Sequence, residues 1–186
     1  MQDELDIAIQ TLKQGGIILY PTDTVWGIGC DATNYEAVKK IYKLKQREDS
    51  KSMICLVNNY SMLEKHVDNV PNIAYDILDV AVNPTTVIYD DPAGIAENLI
   101  ASDNSVAIRI IKHKFCEKLI RYLRKPLVST SANISGQPEP KSFKEISEEI
   151  LKGVDYVVNL QNENKGAKPS SIIKLGNNGV IQIIRK

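Results

Sequence analysis

The stretch SVAIRIIKHKFCEKLIRYLRKPLVSTSAN, residues 105–133, decides the fold. Its first part, 105–110, is apolar and rich in branched residues, so it reads as a strand. Residues 114–124 carry a basic amphipathic pattern and predict a helix. A second strand at 127–130 runs straight into the polar cluster Ser129-Thr130-Ser131-Ala132-Asn133. Toward the N-terminus, residues 4–13 read as an amphipathic helix with Leu5, Ile9 and Leu12 on one side, closed by Gly15-Gly16. A short strand at 17–20 stops at Pro21. The loop Thr22-Asp23-Thr24 and a stretch made adaptable by Gly27 and Gly29 follow. Asn34 is placed to cap a helix whose inner face is Ala37, Val38, Ile41 and Tyr42 and which ends near Lys45. Strands are expected at 53–57 and 85–89, with helices at 60–67 and 72–81 divided by Pro71. Toward the C-terminus, Pro138 and Pro140 mark a loop and 142–151 reads as a helix. Strands follow at 154–158, 170–175 and 179–185, the last two joined by a Gly176-Asn177-Asn178-Gly179 turn. Helices interleave with buried strands, without repeats or low-complexity linkers. The expectation is an α/β mixed fold of the α+β type, a twisted mixed sheet with helices on both faces, in one domain spanning 1–186.

The 186 residues are 43% hydrophobic, enough for a core. Lys plus Arg and Asp plus Glu are both 23, so the formal net charge is zero and no whole-molecule field favours nucleic acid. Two segments are locally basic. Lys39, Lys40, Lys43, Lys45, Arg47 and Lys51 face only Glu48 and Asp49. Lys112, Lys114, Lys118, Arg121, Arg124 and Lys125 face only Glu117. Each is read as a solvated helix face or as a surface turned toward an anion. Cys30, Cys55 and Cys116 are odd in number and far apart, which fits neither a disulfide framework nor a zinc site. Cys55 lies in an apolar run and is expected to be buried. A reducing cytoplasm fits these thiols, and no segment has signal-peptide or membrane-spanning character, so no membrane partner is expected.

Lys45 and Arg47 allow two readings. Cations suit a helix C-terminus, where the dipole favours them. Alternatively the pair converges on a phosphate, Arg as a fork and Lys as a mobile charge. Ser129, Ser131 and Asn133 are ordinary residues for a strand end. At alternate positions they also share one side and offer hydroxyl and amide contacts to a ligand. Arg109 is a cation inside an apolar strand and needs a partner, either a protein carboxylate, solvent at a strand end, or a ligand carboxylate. Arg185 raises the same question more weakly. Thr22 and Thr24 are ordinary turn hydroxyls after a proline-stopped strand. Trp26 is suited to a core or a pocket wall. His66 and His113 are read as surface residues rather than bases.

Five motifs then stand in one order: Pro21-Thr22-Asp23-Thr24-Val25-Trp26-Gly27-Ile28-Gly29, Lys45-Gln46-Arg47, Val106-Ala107-Ile108-Arg109, Ser131-Ala132-Asn133-Ile134-Ser135-Gly136 and Lys168-Pro169-Ser170-Ser171-Ile172-Ile173. As a set they resemble the YrdC-like family, the threonylcarbamoyl-AMP synthases, over nearly the whole chain. The resemblance implies a three-layer fold around an open cavity. It implies a nucleotidyltransferase that makes L-threonylcarbamoyl-AMP and pyrophosphate from L-threonine, bicarbonate or CO2, and ATP. A separate threonylcarbamoyl transferase complex would pass the group to adenosine 37 of tRNA. By matching motif, Lys45 and Arg47 are the implied catalytic residues. ATP and its phosphates would be held by these two with Lys51, Ser105, Ser131, Asn133 and Arg185. Threonine would be held by Thr24, Arg109, Ser129 and Ser170. Mg²⁺ would arrive mainly on ATP, with no protein metal site. Trp26 stands where the family usually has Tyr, Glu48 replaces a usual Pro, and Ser171 replaces a usual Thr. Val82-Asn83-Pro84-Thr85-Thr86 occupies the usual Pro-Gly-Pro-Leu-Thr, keeping the second proline and the final Thr. The extra C-terminal domain of the longer family branch does not follow in this sequence. Two other readings remain: a double-stranded RNA-binding factor using the basic segments, and a paralogue adenylylating another carbamate.

Overall fold

Asn34 accepts a hydrogen bond from the Ala37 amide at 3.1 Å and starts a helix there, as its side chain allows. That helix, α2 (Tyr35–Lys45), buries Ala37, Val38, Ile41, Tyr42 and Lys45. It ends because Gln46 turns left-handed at φ 50°. The other helices are α1 (Gln2–Lys13), α3 (Tyr60–Leu63), α4 (Asn72–Val80), α5 (Lys114–Leu123) and α6 (Glu148–Gly153). The strands are β1 (Ile18–Tyr20), β2 (Gly27–Gly29), β3 (Ile54–Val57), β4 (Thr85–Asp90), β5 (Ser105–Ile110), β6 (Leu127–Ser131), β7 (Tyr156–Val157), β8 (Ser171–Leu175) and β9 (Ile181–Arg185). This computed structural model describes residues 1–47, 53–160, 169–177 and 179–186.

The strands form one mixed sheet in the order β7-β1-β2-β6-β3-β5-β4-β8-β9. Pairs β1–β7, β3–β5 and β4–β8 are parallel, and the remaining neighbours are antiparallel. Side chains alternate between the two faces. On one face, Leu5, Ala8 and Leu12 of α1 pack with Phe115, Leu119, Ile120 and Leu123 of α5 over Ile18, Tyr20, Leu56 and Leu127. On the other, α2, α3, α4 and α6 contribute Ile41, Leu63, Ala74 and Ile150 against Leu19, Ile28, Cys55, Val87, Ile108 and Val128. Leu127 shares its face with Ser129 and Ser131, and register sets Leu56 beside Arg109 and Ile54 beside Ser129. The face that α1 and α5 cover at one end of the strands is therefore polar at the other.

Two expectations are corrected. Residues 27–29 form a strand, not merely an adaptable stretch, because the close approach of neighbours demands glycine there. A Cβ at Gly29 would collide with the Val128 carbonyl oxygen and stand 2.7 Å from the Tyr20 ring. Gly29→Ala is expected to destabilise the protein by about 1–3 kcal/mol, the usual cost of overpacking, seen as a lowered melting temperature. Residues 142–151 are not one helix. A 3-10 turn at Phe143–Glu145 ends at Ile146, and Ser147 then caps α6 by accepting from the Ile150 amide at 3.4 Å. The serine starts a new helix rather than continuing the old one. At the far edge, β9 leaves Ile181, Ile183 and Ile184 exposed.

Candidate active site

Lys45 ends α2 pointing inward and is only 2% exposed. Its ammonium donates to the Ser131 carbonyl at 2.5 Å, the Asn133 carbonyl at 2.6 Å and Asn133 Oδ1 at 3.3 Å. The Lys45 carbonyl in turn accepts from the Ser135 amide at 2.8 Å. The helix end and the loop after β6 are thus locked to each other. Asn133 Oδ1 also accepts from the Ser131 hydroxyl at 2.7 Å, and Asn133 Nδ2 donates to the Gln137 carbonyl at 2.6 Å. Burial draws the Lys45 pKa down to about 8, Arg47 lowers it further, and Glu139 opposes them.

Beside this lock lies a cavity of about 210 Å³. Arg47, Arg109 and Arg185 line it with Thr22, Thr24, Ser129, Ser131, Ser170 and Glu139, and Gly27 forms part of its floor. The cations come from the end of α2, from β5 and from β9, while the hydroxyls come from the β1–β2 loop, from β6 and from the start of β8. Arg185 is oriented by Ser170, donating from Nε to its carbonyl at 2.9 Å and from Nη2 to its hydroxyl at 3.4 Å. The Ser170 hydroxyl lies 2.8 Å from that of Thr86. The Thr24 hydroxyl lies 3.0 Å from that of Thr22, which donates to the Val25 carbonyl at 2.7 Å. Arg109 is 3% exposed, and its Nη2 stands 3.1 Å from Asp23 Oδ1.

Seven of the sequence-derived site residues line this one cavity: Thr24, Arg47, Arg109, Ser129, Ser131, Ser170 and Arg185. Lys45 and Asn133 stand behind it as a lock on its wall. Ser105 shares Arg109's face of β5 but lies four residues away, roughly 13 Å along the strand. There its hydroxyl donates to Asp103 at 2.6 Å, outside the cavity lining. Lys51 lies outside the described residues, as does Lys168. His66 and His113 are half-buried rather than on the surface. One His66 ring nitrogen is 2.9 Å from the Ala93 carbonyl, and His113 is 3.3 Å from the Cys116 sulfur. Neither lines the cavity. Trp26 is buried against Phe143, ring centroids 5.1 Å apart, in the core rather than in the cavity wall. Burial raises the pKa of the Cys30, Cys55 and Cys116 thiols, that of Cys55 to about 12.

Sequence reasoning missed Glu139 and Asp23. Glu139 is the one carboxylate among the cavity's described lining residues, and it sits in the proline-marked loop without any signal of its own. Asp23 carried a signal, a carboxylate between two threonines just after a strand. A larger cavity of about 450 Å³ adjoins Asp23. Its wall is mostly apolar (Leu78, Ala81, Val82, Pro84, Ile110) and includes none of the sequence-derived site residues. Three cations and a ring of hydroxyls make the smaller cavity the better anion site. Among the described residues no group of three or more His, Cys, Asp or Glu is placed to hold a metal, and no helix is long and apolar enough to cross a membrane.

A mixed nine-stranded sheet with a polar cavity on one face defines a class as well as a geometry. The model of the Sua5/YciO/YrdC family, described as telomere recombination, matches residues 10–186, and the chain belongs to that family. It is 35% identical to the threonylcarbamoyl-AMP synthase of Pseudoalteromonas translucida, over 84% of this chain and 86% of that one. It is 36% identical to a putative threonylcarbamoyl-AMP synthase of Methanocaldococcus jannaschii, over 96% and 84%. Among solved structures it resembles P. abyssi Sua5 complexed with L-threonine, with a TM-score of 0.84 and 26% identity over 92% of this chain. It spans 50% of that longer protein.

Proposed function

We infer that this chain is a threonylcarbamoyl-AMP synthase. The observation that carries the reading is the convergence of Arg47, Arg109 and Arg185 with serine and threonine hydroxyls in one cavity. Such a site suits a substrate with one carboxylate and another with several phosphates. The similar P. translucida enzyme bears the name of that activity, and the similar P. abyssi structure holds L-threonine. In this reading Arg109 receives the threonine carboxylate, helped by Thr24, Ser129 and Ser170. Arg47 and Arg185 face the phosphates, with Ser131 beside them.

The threonine amine, in its unprotonated form, combines with CO2 and gives up a proton to solvent, or combines with bicarbonate and loses water, to give a carbamate. A carbamate oxygen then forms a bond to the α-phosphorus of ATP, and the bond to the bridging oxygen breaks to release pyrophosphate. The nucleophile is already anionic, so the protein's work is alignment and neutralisation of charge rather than proton transfer. Lys45 supports that work by fixing the loop that carries Ser131. Mg²⁺ would arrive on the triphosphate, where it would neutralise phosphate charge. One carboxylate in the described lining, Glu139, fits an ion held by ATP better than one held by protein. The product would pass to a threonylcarbamoyl transferase complex for attachment to tRNA adenosine 37. A cytoplasmic location fits the three unpaired, buried thiols.

The purified protein with ATP, Mg²⁺ and bicarbonate is expected to release pyrophosphate only when L-threonine is present, with a new adenylate formed in equal amount. Absence of release with any amino acid would overturn the reading. One observation favours a second reading, a paralogue using another amine. Val82, Asn83 and Thr85, where the chain departs from its family pattern, line the larger cavity beside Asp23. The same assay run across amino acids separates the two: release with a different amino acid only would select the paralogue.

A further inference from the structure

Asp23 lies in the loop between β1 and β2, and Arg109 lies in β5, 86 residues further along the chain. Their charged groups stand 3.1 Å apart, Oδ1 to Nη2, with side chains 14% and 4% exposed. A pair so buried is expected to satisfy its remaining hydrogen-bonding atoms within the protein. This pair does not. Among the described residues Asp23 Oδ1 has no aligned hydrogen bond, since the Arg109 contact is close but poorly directed, and Arg109 Nε has no partner. The pair also stands at a seam. Arg109 lines the polar cavity and Asp23 lines the larger one beside it. A ligand at the seam meets a cation and an anion side by side.

An α-amino acid carries the complementary arrangement. Its ammonium nitrogen and carboxylate carbon are about 2.5 Å apart, set by two bonds and the angle between them. Laid across the pair, the carboxylate meets Arg109 and the ammonium meets Asp23, and all four neighbouring contacts are attractive. A ligand that has only a carboxylate gains Arg109 but is repelled by Asp23. We propose that Asp23 and Arg109 together form the receptor for the two charged ends of the amino acid, with Asp23 holding the α-ammonium group. The proposal rests on the reading that an amino acid is a substrate of this site. It makes Asp23 the residue that distinguishes an amino acid from a hydroxy acid. It also leaves the nitrogen that must become a carbamate within reach of the larger cavity.

The test is the ratio of affinities for L-threonine and for 2,3-dihydroxybutyrate, which has a hydroxyl in place of the amine, measured by calorimetry. Asp23→Asn keeps the shape and removes the charge. It is expected to lower the threonine-to-hydroxy-acid ratio at least about tenfold, the scale of one charge-assisted hydrogen bond. Asp23→Glu, which restores the charge, is expected to recover part of it. Equal weakening of both ligands, leaving the ratio unchanged, would overturn the proposal, because it would mean that Asp23 only orients Arg109. If Asp23→Asn does not fold, the decision passes to Asp23→Glu, whose ratio must stay on the amino-acid side. Should the wild type bind another α-amino acid but not threonine, the threonine reading fails and the ratio is taken with that amino acid and its hydroxy analogue. Binding of no α-amino acid overturns both.

Discussion

Arg109→Ala is expected to lower kcat/KM for the amino acid by at least ~100-fold, the cost of truncating one partner of a buried charge pair. The loss should appear mainly in the KM for threonine, with the KM for ATP changed by no more than about threefold, since in the proposed reading Arg47 and Arg185 face the phosphates. The reason is positional. Arg109 is 3% exposed, it is held in a six-residue strand between β3 and β4, and it points to the face that α1 and α5 leave open. Among the described residues no other lining cation is placed to replace it, because Arg47 and Arg185 enter from a helix end and from an outer strand. Arg109→Lys keeps the charge but loses the fork, and is expected to recover only part of the loss. The two KM values from steady-state pyrophosphate release decide the matter. Equal loss for both substrates would mean that Arg109 supports the sheet rather than the amino acid.

Much of this architecture was legible before the structure, for a physical reason. Strands β3, β5 and β6 are short runs of branched residues, and α2 has an apolar face at helical spacing with an Asn cap. Burial and local propensity point the same way there. Strand β2 was not legible, because glycine is poor in strands. It is a strand only because Tyr20 and the Val128 carbonyl crowd against it from neighbours distant in sequence. The split of 142–151 depended on Ser147 acting as a cap instead of a helix residue. The candidate site shows the same division. Its cations and hydroxyls could be picked out as chemistry, and the strand order then brought Arg47, Arg109 and Arg185 together. Their mutual roles could not be read locally. That Asp23 meets Arg109, or that Glu139 joins the wall, follows from contacts between segments far apart in the chain.

Lys45 shows most sharply how structure changes a reading, and its replacement is the other large expected effect. Lys45→Met removes three donors from Ser131 and Asn133, leaving acceptors around a nearly buried position. It is expected to destabilise the protein by roughly 3 kcal/mol. It is also expected to cut turnover at least ~100-fold, because the loop bearing Ser131 loses its anchor and the site loses a nearby positive charge. The pH dependence separates anchor from bulk. The Lys45 pKa is about 8 in the folded protein, against an ordinary 10.5 for an unfolded chain. Between those values the unfolded chain holds more protons, so the contribution of Lys45 makes folding more favourable as pH rises. Below pH 8 the ammonium is charged in both states and this gain is absent. Raised thiol pKa values act in the opposite sense above pH 9, but they act alike in both variants and cancel in the difference. The stability of wild type relative to Lys45→Met should therefore climb from pH 8 toward 10.5. Wild-type turnover should fall over the same range along a limb centred near pH 8. Stability and activity moving in opposite directions is the signature of a buried amine whose hydrogen bonds hold the loop but whose charge serves function rather than stability. Turnover that stays level to pH 9.5 would show that the ammonium's charge is not what the site requires.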